Sequence, residues 1–83
     1  MIINLNTSLI ELFEIAKTTL EETEKDEVFT VKELFRGFEW NRISKGNRTK
    51  LGSMFFLFSK NQGSSIIISI EKTLQNQQKY RKL

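Results

Sequence analysis

Between Glu39 and Glu71 the chain holds no acidic residue, and inside that span one stretch changes character without a break. It begins polar and basic, from Trp40, Asn41, Arg42, Ile43, Ser44 and Lys45 through Asn47, Arg48 and Lys50. It continues through Leu51, Gly52, Met54, Phe55, Phe56, Leu57 and Phe58, with apolar residues at helical spacing. One helix over residues 44–59 accounts for both halves. Ser44 is its N-cap, and Leu51, Met54, Phe55 and Phe58 form its core stripe. Gly52 interrupts that stripe at a cost of roughly 1 kcal/mol against alanine, so close approach of another helix or of the Trp40 ring is expected there. The far end of such a helix must be buried. Its front is left to meet water or a polyanion.

What can bury it is limited. Eighty-three residues support a single core, and the absence of cysteine excludes disulfides and thiolate metal sites. The absence of histidine removes a His general base, a His-based triad and His-ligated zinc. Stability must come from packed apolar side chains, and nine aromatics, seven of them Phe, supply large area per residue. No paired base, metal cluster or phosphate-binding glycine loop is apparent, so neither an enzyme nor a cofactor is expected. No segment approaches the roughly 18 apolar residues of a membrane span, and no basic leader precedes the first apolar residues. The expected setting is the cytoplasm, without a membrane partner.

Upstream, Leu5, Leu9, Leu12, Phe13, Ala16 and Leu20 recur at helical spacing, and Ser8 with Glu11 makes a capping box. A first helix is predicted over 8–24, with the acids Glu21, Glu22 and Glu24 opposing its dipole. A short strand follows over 27–29. Thr30 and Glu33 form a second capping box, flanked by Phe29 and Leu34 at hydrophobic-staple spacing. They open a second helix over 31–36, which Gly37 ends in a left-handed conformation with Phe38 packing back. After the long helix and a turn at Gly63, the β-branched run 65–71 reads as a strand with Ile66, Ile68 and Ile70 inward and Ile67 and Ser69 outward. Residues 77–82 return as an edge strand with Tyr80 inward. The expected architecture is one α+β domain, order α-β-α-α-β-β, on the plan of a small winged helix-turn-helix. A helical bundle with a C-terminal hairpin fits the same pattern.

Charge divides along the chain. Residues 1–39 carry nine acids against four bases, and residues 40–83 nine bases against one acid, so −5 and +8 sum to the net +3. A basic half of this kind fits a polyanion, most commonly nucleic acid, here double-stranded DNA. Arg48 and Asn47 are candidates for reading base edges, because Arg donates to guanine and Asn pairs with adenine. Lys45 and Lys50 fit phosphate contacts, and Arg42 lies on the same basic turn. Lys72, Lys79 and Arg81 fall on the predicted hairpin, where they either track phosphates or, the slightly simpler account, guard an exposed edge strand against aggregation. The competing reading is that these cations solvate one face, with Arg48 paired to Glu39 or Glu33. Trp40 fits the core better than a stacking platform. Phe55, Phe56 and Phe58 cannot share one core face, so the Phe56 side, or the first helix, is a candidate contact for a homodimer or a protein partner. The two functional expectations are a DNA-binding regulator and a protein-interaction module of phage-adaptor or inhibitor type.

The residues Phe29-Thr30-Val31-Lys32-Glu33-Leu34-Phe35, Gly37-Phe38-Glu39-Trp40-Asn41-Arg42-Ile43, Arg48 with Leu51-Gly52 and Phe55, and Asn76-Gln77-Gln78-Lys79-Tyr80 form a combination. It resembles an uncharacterised family of small proteins from low-GC Gram-positive bacteria and their phages, domain-of-unknown-function family 1413. The resemblance spans about residues 27–82 and leaves the first helix outside. It implies a small bacterial or phage-borne cytosolic protein and carries no functional residue with it.

Overall fold

Ser8 opens the first helix as its spacing predicts. Its hydroxyl accepts the Glu11 N–H at 3.2 Å, and α1 (Leu9–Leu20) buries Leu12, Ala16 and Leu20. The computed structural model describes residues 3–83. α1 stops short of the predicted residue 24. The Leu20 carbonyl accepts from the Thr23 N–H at 3.1 Å, the Thr23 hydroxyl at 2.6 Å and Lys82 Nζ at 3.3 Å, and Lys82 Nζ also donates to Thr23 O at 3.1 Å. A lysine from the other end of the chain thus places a cation on the negative end of the helix dipole. The acids of residues 21–24 lie beyond the helix in a turn.

β1 (Val28–Thr30) leads directly into a 3-10 helix over Val31–Leu34, where a regular α-helix over 31–36 was predicted. The start signal itself holds: Glu33 Oε1 accepts the Thr30 N–H at 2.8 Å, and Phe29 and Leu34 are both buried. What fails is the stop. Phe35 is extended, Gly37 does not take a positive φ, and a separate single turn, α2 (Gly37–Trp40), begins on it. Phe38 consequently points outward, 55% exposed, beneath the Arg42 guanidinium at 5.1 Å from its ring centroid.

α3 (Lys45–Lys60) has the predicted cap, with Ser44 Oγ accepting the Asn47 N–H at 3.2 Å. Leu51 and Phe55 are fully buried, and Met54 and Phe58 are half-buried. A turn centred on Gly63 leads to β2 (Ile67–Lys72), and β3 (Gln78–Lys82) closes an antiparallel sheet of order β1-β3-β2. β3 is therefore the central strand, not an edge, because β1 pairs with it from the far side.

The predicted facing of β2 is inverted. Ile67 is buried, while Ile66 and Ile68 are 38% and 43% exposed. Tyr80 on β3 faces the helices and lies opposite Ser69, and directly paired residues share a sheet face. Ser69 and Ile67 must then face inward, and a one-residue slip in the predicted register exchanges every side chain.

Five rings join the layers. Phe13 of α1 meets Phe58 of α3 edge-on at 5.8 Å, and Phe58 lies 5.7 Å from Phe55. Phe55 meets Tyr80 of β3 edge-on at 5.1 Å, and Tyr80 stacks on Phe29 of β1 at 6.0 Å. Such pairs contribute about 0.5–1.5 kcal/mol each beyond their buried area.

Glycine is required at one place. A Cβ on Gly63 would lie 2.4–2.7 Å from atoms of the Phe58 ring, which Phe13 and Phe55 hold in place. Gly63→Ala is expected to lower stability by about 1–3 kcal/mol through overpacking, read from the urea midpoint. A midpoint equal to wild type would show that the ring moves freely. Gly52 is the opposite case, since a Cβ there would meet nothing within 4 Å. The expected close approach of a helix or of the Trp40 ring does not occur, because this side of α3 faces an open groove.

Candidate nucleic-acid interface

That groove, about 1110 Å³, runs between α3 and the turn joining β2 to β3. Its α3 wall is one helical stripe, with Lys45, Arg48, Thr49, Gly52, Ser53 and Phe56 at spacings of three and four. Lys72 and the amides Gln75, Asn76 and Gln77 form the facing wall, and Lys32 closes one end from the 3-10 helix. Trp40 and Tyr80 also line it. Among the described residues, four cations from three separate elements border the groove, and no Asp or Glu lines it.

Charge along the chain has become charge in space. A second groove, of about 650 Å³, lies between α1 and the segment from the 3-10 helix to α2. Glu11, Glu14, Glu22, Glu33 and Glu39 line it, with Arg36 as the one cation among the described residues. Glu39 is buried, and its charge partner is Arg36 at 3.8 Å rather than Arg48.

Arg48 is half-buried and lies over the Trp40 ring, 5.5 Å from its centroid. The Trp40 ring in turn packs on Phe35 at 5.6 Å, so the indole is both scaffold and platform for the guanidinium. Neither Glu33 nor Glu39 pairs with Arg48. Two buried side-chain atoms among the described residues have no hydrogen-bond partner, Arg48 Nε and the Tyr80 hydroxyl. Both belong to residues lining the groove. Each is a donor without an acceptor beside a cationic cleft, and an unsatisfied buried donor costs about 1–3 kcal/mol.

Burial pushes the Tyr80 hydroxyl from 10.0 up to about 12. Because the folded state favours the neutral phenol, the resulting stabilisation is fully present below pH 10. It is lost as pH rises through about 12. Tyr80→Phe removes an unpartnered hydroxyl while keeping the ring against Phe29 and Phe55. The variant is expected to gain roughly 1 kcal/mol at neutral pH and to lose the Tyr80 share of the alkaline decline. Urea titrations at neutral and alkaline pH check both. A clear loss of stability at neutral pH would contradict the unpaired hydroxyl.

Of the candidates drawn from the sequence, Lys45, Arg48 and Lys72 meet in the groove. The others are placed elsewhere. Arg42 Nη1 donates to the Ile3 carbonyl at 3.0 Å, tying the turn after α2 to the segment before α1. The Asn47 N–H is taken by the Ser44 cap, and neither Asn47 nor the exposed Lys50 lines the groove. Lys79 lies 2.7 Å from Glu71, and Arg81 lies 3.3 Å from Asp26. In register, Lys79 and Arg81 flank the inward Tyr80 and so project from the opposite face of the sheet, away from α3. The hydrogen bond from Lys79, with its charge, holds the Glu71 carboxyl below the usual range.

Lys32, Thr49 and Ser53 escaped the sequence reading. Thr49 and Ser53 carried a usable signal, the helical spacing from Lys45 to Phe56. Lys32 carried none, because its place depends on the path from β1 into the 3-10 helix.

Among the described residues, no helix is long and apolar enough to cross a membrane. The family model of a domain of unknown function, DUF1413, matches residues 14–82, and the chain belongs to that family. The match begins inside α1, so most of the first helix is part of the family's unit rather than outside it. No curated protein and no solved structure matches the chain.

Proposed function

We propose that this chain is a cytoplasmic DNA-binding regulatory protein whose basic groove seats one strand of a duplex. The observation carrying this reading is the convergence of Lys32, Lys45, Arg48 and Lys72 from three elements on a groove that no acid lines among the described residues. The element order and the β1-β3-β2 sheet agree with a winged helix-turn-helix plan, although the helix before α3 is reduced to a 3-10 helix and a single α-turn. On that plan the first turns of α3 enter the major groove, with Arg48 reading a base edge and Lys45 a phosphate. The β2–β3 turn follows the same strand from the other side.

Gel retardation of mixed genomic fragments tests this. If the three groove lysines neutralise phosphates while Arg48 reads a base, log K falls with log salt at a slope of about −2.7, roughly 0.9 for each. Fragments left unretarded at low salt would overturn the reading.

A protein partner on the same scaffold is the second reading. The exposure of Phe56 and Leu57 on α3, 38% and 61%, favours it. Affinity capture from nuclease-treated host lysate tests that reading, and recovery of no specific protein counts against it.

A further inference from the structure

We propose that the β2–β3 turn is a minor-groove probe in which Leu74 acts as a wedge, unstacking a base step and bending the duplex that the basic groove holds. This deepens the DNA reading above and rests on it.

Leu74 is completely exposed, at 103%, more than any other large apolar side chain among the described residues. Single exposed leucines are common, but this one stands at the tip of a turn that is tied down. The Thr73 N–H donates to Gln77 O at 2.8 Å, the Gln77 N–H to the Thr73 hydroxyl at 3.1 Å, and the Asn76 N–H to Thr73 O at 2.9 Å. Asn76 takes a left-handed φ of 65°, which asparagine tolerates better than most residues. The ordering entropy of the tip is therefore already met before any ligand arrives.

The chemistry around the tip matches one ligand. Gln75, Asn76 and Gln77 are exposed amides whose donors suit the adenine N3 and thymine O2 acceptors of the minor-groove floor. Lys72 at the foot supplies a phosphate contact on the groove side. The nearby acid, Glu71, is held by Lys79 at 2.7 Å, which offsets its repulsion of phosphate. An unbent minor groove, about 6 Å wide, is tight for a hairpin tip. An apolar side chain inserted between base pairs kinks the duplex toward the major groove, opening the minor groove to the turn.

The test uses the full chain and an A·T-centred duplex retained in the gel assay, with a fluorophore pair at its ends and 2-aminopurine at the central step. Wild type is expected to bend the duplex by about 20–90°, raising end-to-end energy transfer, and to brighten the unstacked 2-aminopurine. Leu74→Ala changes no buried contact, so it is expected to fold as wild type and still retard the duplex, but to lose both signals. Leu74→Phe is expected to restore them. A duplex retained by wild type yet unbent, or equally bent by Leu74→Ala, overturns the wedge while leaving the DNA reading intact. A duplex that wild type does not retard at low salt overturns the DNA reading and the wedge with it.

Discussion

Phe55→Ala is expected to lower the unfolding free energy by about 3–5 kcal/mol, the largest effect of any single substitution considered for this domain. Phe55 has no exposed surface, and it is the ring through which α3 meets Tyr80 of β3 while packing against Phe58 of its own helix. Its removal takes away the transfer free energy of the side chain, leaves a cavity, and breaks two of the four contacts in the five-ring series joining α1 to β1. For a chain of this size, total stability is on the order of 4–12 kcal/mol, so a large fraction would be lost. Urea unfolding followed by Trp40 fluorescence measures it. Phe55→Leu, which keeps much of the volume, should cost distinctly less. A Phe55→Ala loss below about 1 kcal/mol would mean that the helix is not anchored through this ring.

Arg48→Ala is expected to act on binding rather than on folding. Removing its contact with Trp40 loses about 0.5–1 kcal/mol, while deleting a buried Nε without an acceptor returns a comparable amount. The unfolding midpoint should therefore stay close to wild type. Duplex affinity should fall by about 1–3 kcal/mol, roughly 5- to 150-fold, with discrimination between sequences reduced. Lys45→Ala should weaken all sequences alike and reduce the salt slope by about 1. Measuring both variants by gel retardation across sequences and salt separates base reading from phosphate contact. If Arg48→Ala unfolds the domain while Lys45→Ala leaves binding unchanged, Arg48 is a packing residue and the groove does not hold DNA.

The charge split, the capping signals of Ser8, Thr30 and Ser44, and the buried pair Leu51 and Phe55 were legible in the residues themselves. Each depends on groups only a few positions apart, or on a sum over many residues. The start of α3 and the inward face of Tyr80 follow for the same reason. Arg42, Lys50, Lys79 and Arg81 looked equivalent to Lys45 and Lys72 as cations, and the structure separates them by their neighbours. Arg42 is taken up by a carbonyl 39 residues away, and Arg81 by an aspartate 55 residues away.

The stretch from Trp40 to Phe58 shows where local chemistry stops being sufficient. Its helical period alone determines that a cationic front runs into an apolar anchor. Only the fold decides which cations of that front matter, because the groove exists only where α3 passes the β2–β3 turn. Only the pairing of β2 with β3 decides that Ile67, and not Ile66 or Ile68, faces the core: the strand's alternation is symmetric until Tyr80 on its partner breaks the tie.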